Sequence, residues 1–141
     1  PMKHLLILIS ILLLSSPVIG HPKGEHTLYR WKNHSGDGFV WKGFGDKETH
    51  PKYVGDLKNG EPNGLGVMFY PKGRNPKGIK YVGSWKDGEK SGYGIETYYN
   101  GSKNVGIWKN GEIWNGEGYD KNGDKDSTYV NGIFKVFKPQ F

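Results

Sequence analysis

No cysteine occurs anywhere in the 141 residues. That excludes disulfides, thiol nucleophiles, thiolate-bound metals and a lipid-modified cysteine anchor. Long apolar runs are nearly as scarce. The single one, residues 5–14 (LLILISILLL), is ten residues long, against the roughly 20 needed to span a bilayer. Helical patterning is missing after residue 20, because glycine interrupts every stretch of twelve residues there. Aliphatic side chains are few and the mean hydropathy is −0.72. A two-layer aliphatic core is therefore excluded. Apolar burial has to come from 5 Trp, 9 Tyr and 6 Phe, which cover a large area per residue.

Glycine is abundant, with 23 residues, and it is periodic rather than low-complexity. Residues 80–101, KYVGSWKDGEKSGYGIETYYNG, carry the pattern most fully. Tyr81, Gly83 and Trp85 sit two apart, so a strand places them on one face. Asp87-Gly88 is a two-residue hairpin signal, since both positions tolerate positive φ. Gly92 and Gly94 follow on the returning strand, and Asn100-Gly101 turns the chain again. Residues 52–73 repeat the unit with Tyr53, Gly55, Asn59-Gly60, Gly64 and Gly66. Residues 104–123 repeat it with Gly106, Trp108, Asn110-Gly111, Gly116 and Gly118. A worn copy precedes them at Gly36-Asp37-Gly38. The first glycine of each Gly-x-Gly pair falls at 36, 64, 92 and 116, a period of 28, 28 and then 24 residues. Such periods mark stacked supersecondary units, each too small to bury its own apolar face.

The pattern Tyr-x-Gly-x-Trp-x-x-Gly-x-x-x-Gly-x-Gly resembles the MORN repeat (membrane occupation and recognition nexus). Residues 81–94 match it in full. Residues 53–66 carry Leu57 at the Trp place. Residues 104–118 carry Asn104 at the Tyr place and one extra residue before Gly116. The first copy keeps Gly36 and Gly38, with Tyr29 near the Trp place. The resemblance covers roughly residues 25–137, and three copies in register make it specific. It implies an all-β fold, an elongated single-sheet array of antiparallel β-hairpins. It also implies a non-catalytic interaction or scaffold module, with no cofactor and a protein partner.

The expected organisation is a signal peptide over residues 1–20, an N-terminal segment over 21–51 with the degenerate repeat, the array with a capping hairpin over 52–137, and a tail over 138–141. Pro1 precedes Met2 and reads as a remnant. Lys3 and His4, the apolar run, Pro17 and the small residues before His21 form a secretory signal, with cleavage expected after Gly20. A chain exported without cysteine fits a bacterial envelope, as a periplasmic, cell-surface or secreted protein. Nucleic acid is not an expected partner for such a chain.

The aromatic stripe Tyr53, Tyr81, Trp85 and Trp108 has two readings. It is the core between hairpins, or it is partly open and forms a ligand-binding face for peptide, glycan or lipid. The two Trp residues also invite comparison with choline- and glucan-binding hairpin repeats, which need open aromatic cages. The formal net charge is +6. Lys52, Lys72, Arg74, Lys77, Lys80, Lys86, Lys90 and Lys109 spread along the array. They are a solvated face, or a surface attracted to anionic lipid or wall polymer, with Lys72, Arg74 and Lys77 as its densest part. Self-association through exposed strand edges is a further expectation.

No Ser/His/Asp set and no metal-ligand spacing is visible. His21, His26, His34 and His50 are read as loop residues. Asp120, Asn122, Asp124 and Asp126 alternate as in a calcium loop, but Lys125 replaces the needed glycine, so a plain turn is favoured. An enzyme would need paired carboxylates, for instance Glu96 near Asp56 or Glu117. The glycines are assigned a packing role, their bare backbone letting Tyr and Trp rings lie flat.

Overall fold

The computed structural model describes residues 26–72 and 78–137. The expected signal segment, Arg74, Lys77 and the tail lie outside the described residues. Ten strands form: β1 His26–Lys32, β2 Phe39–Lys42, β3 Lys52–Lys58, β4 Glu61–Phe69, β5 Gly78–Lys86, β6 Glu89–Tyr98, β7 Lys103–Lys109, β8 Glu112–Tyr119, β9 Lys125–Val130 and β10 Ile133–Val136. They make one antiparallel sheet in the order β10-β9-β8-β7-β6-β5-β4-β3-β1-β2. The fold is all-β, an array of hairpins in a single open sheet.

Turn chemistry sets the registers. Asn59-Gly60, Asp87-Gly88, Asn110-Gly111 and Asn131-Gly132 all hold positive φ at both positions, between 49° and 83°. These are two-residue turns whose twist matches that of the flanking strands. The turn glycines also tie one hairpin to the next. Gly88 donates its N–H to Pro62 O, Gly111 to Lys90 O and Gly132 to Trp114 O, at 2.8–3.0 Å. Longer turns at the opposite end, such as residues 98–102, close through Tyr98 N to Ser102 O.

The core lies on one face. Tyr53, Tyr81, Trp85, Trp108, Met68, Tyr70, Leu28 and Ile113 form a single cluster, with Trp41, Leu57 and Tyr129 packed against it. The rings make an edge-to-face ladder. Trp41 meets Tyr53 at 6.0 Å, Tyr53 meets Trp85 at 5.1 Å, Trp85 meets Tyr81 at 5.3 Å and Tyr81 meets Trp108 at 5.1 Å. Each such pair adds about 0.5–1.5 kcal/mol beyond its area burial. The two repeat Trp residues reach back one repeat: Trp85 Nε1 donates to Gly66 O at 3.3 Å and Trp108 Nε1 to Gly94 O at 3.2 Å. The two repeat Tyr residues close their own strands, Tyr53 donating to Asp56 O at 2.6 Å and Tyr81 to Ser84 O at 3.1 Å.

The N-terminal hairpin departs from expectation. β1, not β2, pairs with β3, so β2 is the sheet edge. Gly36 and Gly38 lie in the turn between β1 and β2 rather than on a returning strand. This segment is not a rung of the meander. Four strand spacings separate β2 from β5, about 19 Å in a flat sheet. Yet Trp41 of β2 lies 6.3 Å from Trp85 of β5. The sheet curls over its inner face at this end. Trp41 thereby ends the ladder at the repeat where Leu57 supplies no ring.

The two glycines of each Gly-x-Gly pair have different duties, which corrects the expectation of a shared packing role. Gly66 and Gly94 pair with Gly55 and Gly83, and a Cβ on either would overlap the ring of Tyr53 or Tyr81. Gly64 and Gly92 instead hold φ of +107° and +70°, beside the bulges that follow Gly55 and Gly83 in the register. The third unit is also realigned. Gly106 pairs with Gly116, so Gly116 is the counterpart of Gly94 rather than of Gly92. Its hairpin is one residue shorter, not longer. Gly118 takes the Glu96 place, where a Cβ would overlap Ser127 Oγ.

Gly94→Ala is expected to destabilise the chain by about 3 kcal/mol or more through overpacking against Tyr81. Gly92→Ala is expected to cost about 1–2 kcal/mol through backbone strain alone. Urea unfolding monitored by tryptophan fluorescence checks the ranking, and equal costs would refute the division of labour.

Candidate binding site

Period-2 alternation settles where the predicted site residues go. Tyr53, Tyr81, Trp85 and Trp108 all point inward and are buried at 5% exposure or less. Tyr81 stands between Trp85 and Trp108, and both indoles donate to glycine carbonyls. No open cage exists between the two Trp residues, so the likeness to choline- and glucan-binding repeats is not carried by this geometry. The four rings form a core with no ligand space between the hairpins, and of the four only Trp85 edges the cavity at the curled end. Burial raises the phenol pKa values of Tyr53 and Tyr81 well above the ordinary range, with nearby Asp56, and Tyr70 and Glu96, adding to the shift.

Lys90 is likewise not a surface residue. It occupies the inward position opposite Trp85 and is buried. Its ammonium pairs with Glu96, which faces Tyr81 across the ladder. The Nζ sits 4.6 Å from the Trp108 ring centroid, 4.9 Å from Tyr81 and 5.2 Å from Tyr70. The aromatic cage of this fold is thus occupied by the chain's own cation. Cation–π attraction and the carboxylate together offset desolvation of the ammonium.

Beside this pair the curled end encloses a cavity of about 600 Å³. Arg30, Phe39, Trp41, Tyr70, Trp85 and Lys90 wall it, and Asp37, Glu61, Asp87 and Glu89 complete its lining. The four carboxylates belong to exposed residues. The Arg30 guanidinium stacks on Phe39 at 4.3 Å and approaches Tyr70 at 5.8 Å. Its Nε is buried without a hydrogen-bond partner. Among the described residues, no carboxylate lies within ion-pair distance of Arg30. Burial pulls its pKa below the ordinary value, against the opposing influence of Tyr70 and Glu96. Sequence pattern does not single out Arg30 and Trp41, because segment 21–51 reads as carrying a degenerate repeat. The signal was present: Leu28-x-Arg30 and Phe39-x-Trp41 alternate like strand residues, with a charge at an inward position.

The remaining carboxylates are occupied with structure. Glu96 faces inward, whereas strand alternation turns Asp56 and Glu117 outward, so the carboxylate pair that an enzyme would need is not formed. Asp56 accepts Leu65 N at 3.1 Å. Glu117 pairs with Lys125 at 2.5 Å and accepts Tyr119 Oη at 2.6 Å. Those two hydrogen bonds, Lys125 first, hold its pKa below the usual carboxylate range. Asp120 accepts the N–H groups of Asn122 and Asp124 at 2.8 and 3.0 Å, which closes a turn. Among the described residues, no cluster of three His, Asp or Glu side chains suits a metal ion.

Two surfaces complete the inventory. On the outer face Lys52 neighbours Phe69, Phe69 neighbours Lys80, Lys80 neighbours Thr97 and Thr97 neighbours Lys103. This aligns three lysines in one row across the sheet, on alternate strands. At the C-terminal end every residue of β10 is exposed. Ile133, Phe134 and Val136 are 61%, 54% and 62% exposed, with only Lys135 as a charge among them.

The MORN repeat model matches residues 53–73 and 81–103, the second and third hairpins of this open sheet of stacked hairpins. These two segments are similar to MORN repeats, which in general bind proteins or membranes and are typically non-catalytic. Among curated proteins none matches the chain significantly.

Breaking the Lys90–Glu96 pair from one side, as in Glu96→Gln, is expected to cost about 3–5 kcal/mol. The double change Lys90→Met with Glu96→Leu is expected to cost clearly less, because no buried charge is left alone. Urea midpoints of the three chains check this. A near-zero single effect would show that the pair is solvated.

The buried phenols predict a limit on the alkaline side. Their folded pKa values lie above the unfolded value of about 10, so the stability they confer is complete below that pH and declines as pH rises through and above it. Absorbance at 295 nm should show Tyr53 and Tyr81 ionising only together with loss of the fold. Full titration of all tyrosines near pH 10 in a folded chain would refute it.

Proposed function

We propose that this protein is an exported, non-catalytic binding module that docks a protein partner at the cell envelope. The observation that carries the reading is β10. Soluble sheets normally guard their edge strands with charge, proline or a covering element. Among the described residues, the last strand has no neighbour on its outer side and carries exposed Ile133, Phe134 and Val136. An extended segment of a partner can add to such an edge by main-chain hydrogen bonds, with alternate side chains supplying specificity. The apolar run at residues 5–14 supports export, the leader being removed after Gly20.

A second reading is favoured by the lysine row. Lys52, Lys80 and Lys103, with Lys72, Arg74 and Lys77 in the neighbouring connection, would attract an anionic lipid surface or wall polymer. Each basic residue near such a surface contributes about 1 kcal/mol.

One experiment separates the two. The chain is sedimented with anionic and with neutral vesicles at low and high salt, and used in parallel to capture proteins from the envelope fraction. The expected result is capture of a defined partner, lost in Ile133→Lys/Val136→Lys, with no vesicle binding. Salt-sensitive binding to anionic vesicles alone, lost in Lys52→Glu/Lys80→Glu/Lys103→Glu, would replace the first reading by the second. N-terminal sequencing of the processed chain checks the cleavage after Gly20.

A further inference from the structure

We infer that the cavity under the curled N-terminal hairpin is a site for a small zwitterion, an amino acid or dipeptide with a free carboxylate and a free ammonium group. The inference is separate from the docking role of β10, which lies at the other end of the sheet.

The argument starts from Arg30. A guanidinium taken partly out of water calls for an anion or several acceptors. Arg30 has neither carboxylate partner nor acceptor for its Nε among the described residues. Its guanidinium carbon lies 4.3 Å from the Phe39 ring centroid and 5.8 Å from that of Tyr70, and the side chain lines the cavity, where a carboxylate is the matching partner for a guanidinium. Lys90 adds positive potential to the same wall but is already committed to Glu96. Among the described residues, the cavity therefore presents one guanidinium without a carboxylate partner.

The opposite charge surrounds it. Asp37, Glu61, Asp87 and Glu89 line the same cavity in a chain of net charge +6. Asp37 is the only one of them bound by its neighbours, Ser35 and Asn33. A phosphate dianion would gain one guanidinium and meet four carboxylates, so it is disfavoured. A metal ion finds no three-ligand cluster among the described residues. A ligand with a single carboxylate for Arg30 and an ammonium for the exposed acids satisfies both signs. Between those ends Trp41 and Tyr70 offer an apolar wall, and about 600 Å³ lies within the range of small-ligand sites.

Trp41 and Trp85 line the cavity, so the full chain reports occupancy by its own fluorescence. Titration uses leucylphenylalanine, its C-terminal carboxamide, its N-acetyl derivative and inorganic phosphate. Saturable binding of the free dipeptide is expected. The carboxamide should bind at least tenfold more weakly and the acetylated form several-fold more weakly. Arg30→Gln should abolish the difference between acid and amide. Glu61→Gln/Glu89→Gln, at exposed positions, should abolish the difference between free and acetylated amine without unfolding the chain. Circular dichroism melting of each variant separates lost binding from lost fold. No saturable change with the folded wild-type chain, equal binding of acid and amide, or tighter binding of phosphate than of the dipeptide would each overturn the inference.

Discussion

Tyr53 on Gly66 and Tyr81 on Gly94 are the contacts from which the remaining order follows. A flat ring can lie on a strand only where that strand has no Cβ, and the partner glycines Gly55 and Gly83 clear the next position across the ladder. Each ring buried this way removes roughly 150–250 Å² from water, worth up to about 4–6 kcal/mol of transfer free energy. A sheet with few aliphatic residues has no other source of that size. Trp85 then fills the space between Tyr53 and Tyr81, Trp108 packs on the other side of Tyr81, and both indoles donate to the carbonyls of the glycines beneath. Stability is thus passed from hairpin to hairpin, as expected of a repeat array.

Where a repeat departs from the pattern, the structure changes its use of the face. Leu57 leaves a gap in the aromatic ladder, and the sheet curls until Trp41 of β2 supplies the ring. That same curl brings Arg30 beside Tyr70 and encloses the cavity. Asn104 replaces the third Tyr. Its side-chain amide donates to Tyr98 Oη at 2.8 Å and Tyr129 Oη at 3.0 Å, so a hydrogen-bond network stands where a ring would. Lys90, at the place taken by Pro62 and Ile113 in neighbouring hairpins, fills the cage with a charge. Regular positions serve packing, and irregular positions leave the polar groups and spaces that can bind.

These features divide the molecule functionally. The inner face is closed over its middle by its own aromatic residues. The N-terminal end carries a polar cavity, the outer face a row of lysines, and the C-terminal end an unguarded apolar strand. Each invites a different chemistry.

The amino-acid pattern alone determined the hairpins, their two-residue turns and the placing of the aromatic stripe on one face of the strands. All of these follow from period-2 alternation and from φ preferences within a few residues, which are local physics. The tertiary structure decided the rest. That Gly116 corresponds to Gly94 depends on which residues pair across a bulge, and one deleted residue is invisible until the register is known. That β1 rather than β2 neighbours β3 depends on the connection through residues 43–51, where no strand pattern constrains the path. That Lys90 is buried and that Arg30 has no carboxylate partner among the described residues depends on curvature, because a charged side chain at an inward position is exposed in a flat sheet and enclosed in a curled one. Local sequence fixes which way a side chain points along its strand; only the assembled sheet fixes what it then meets.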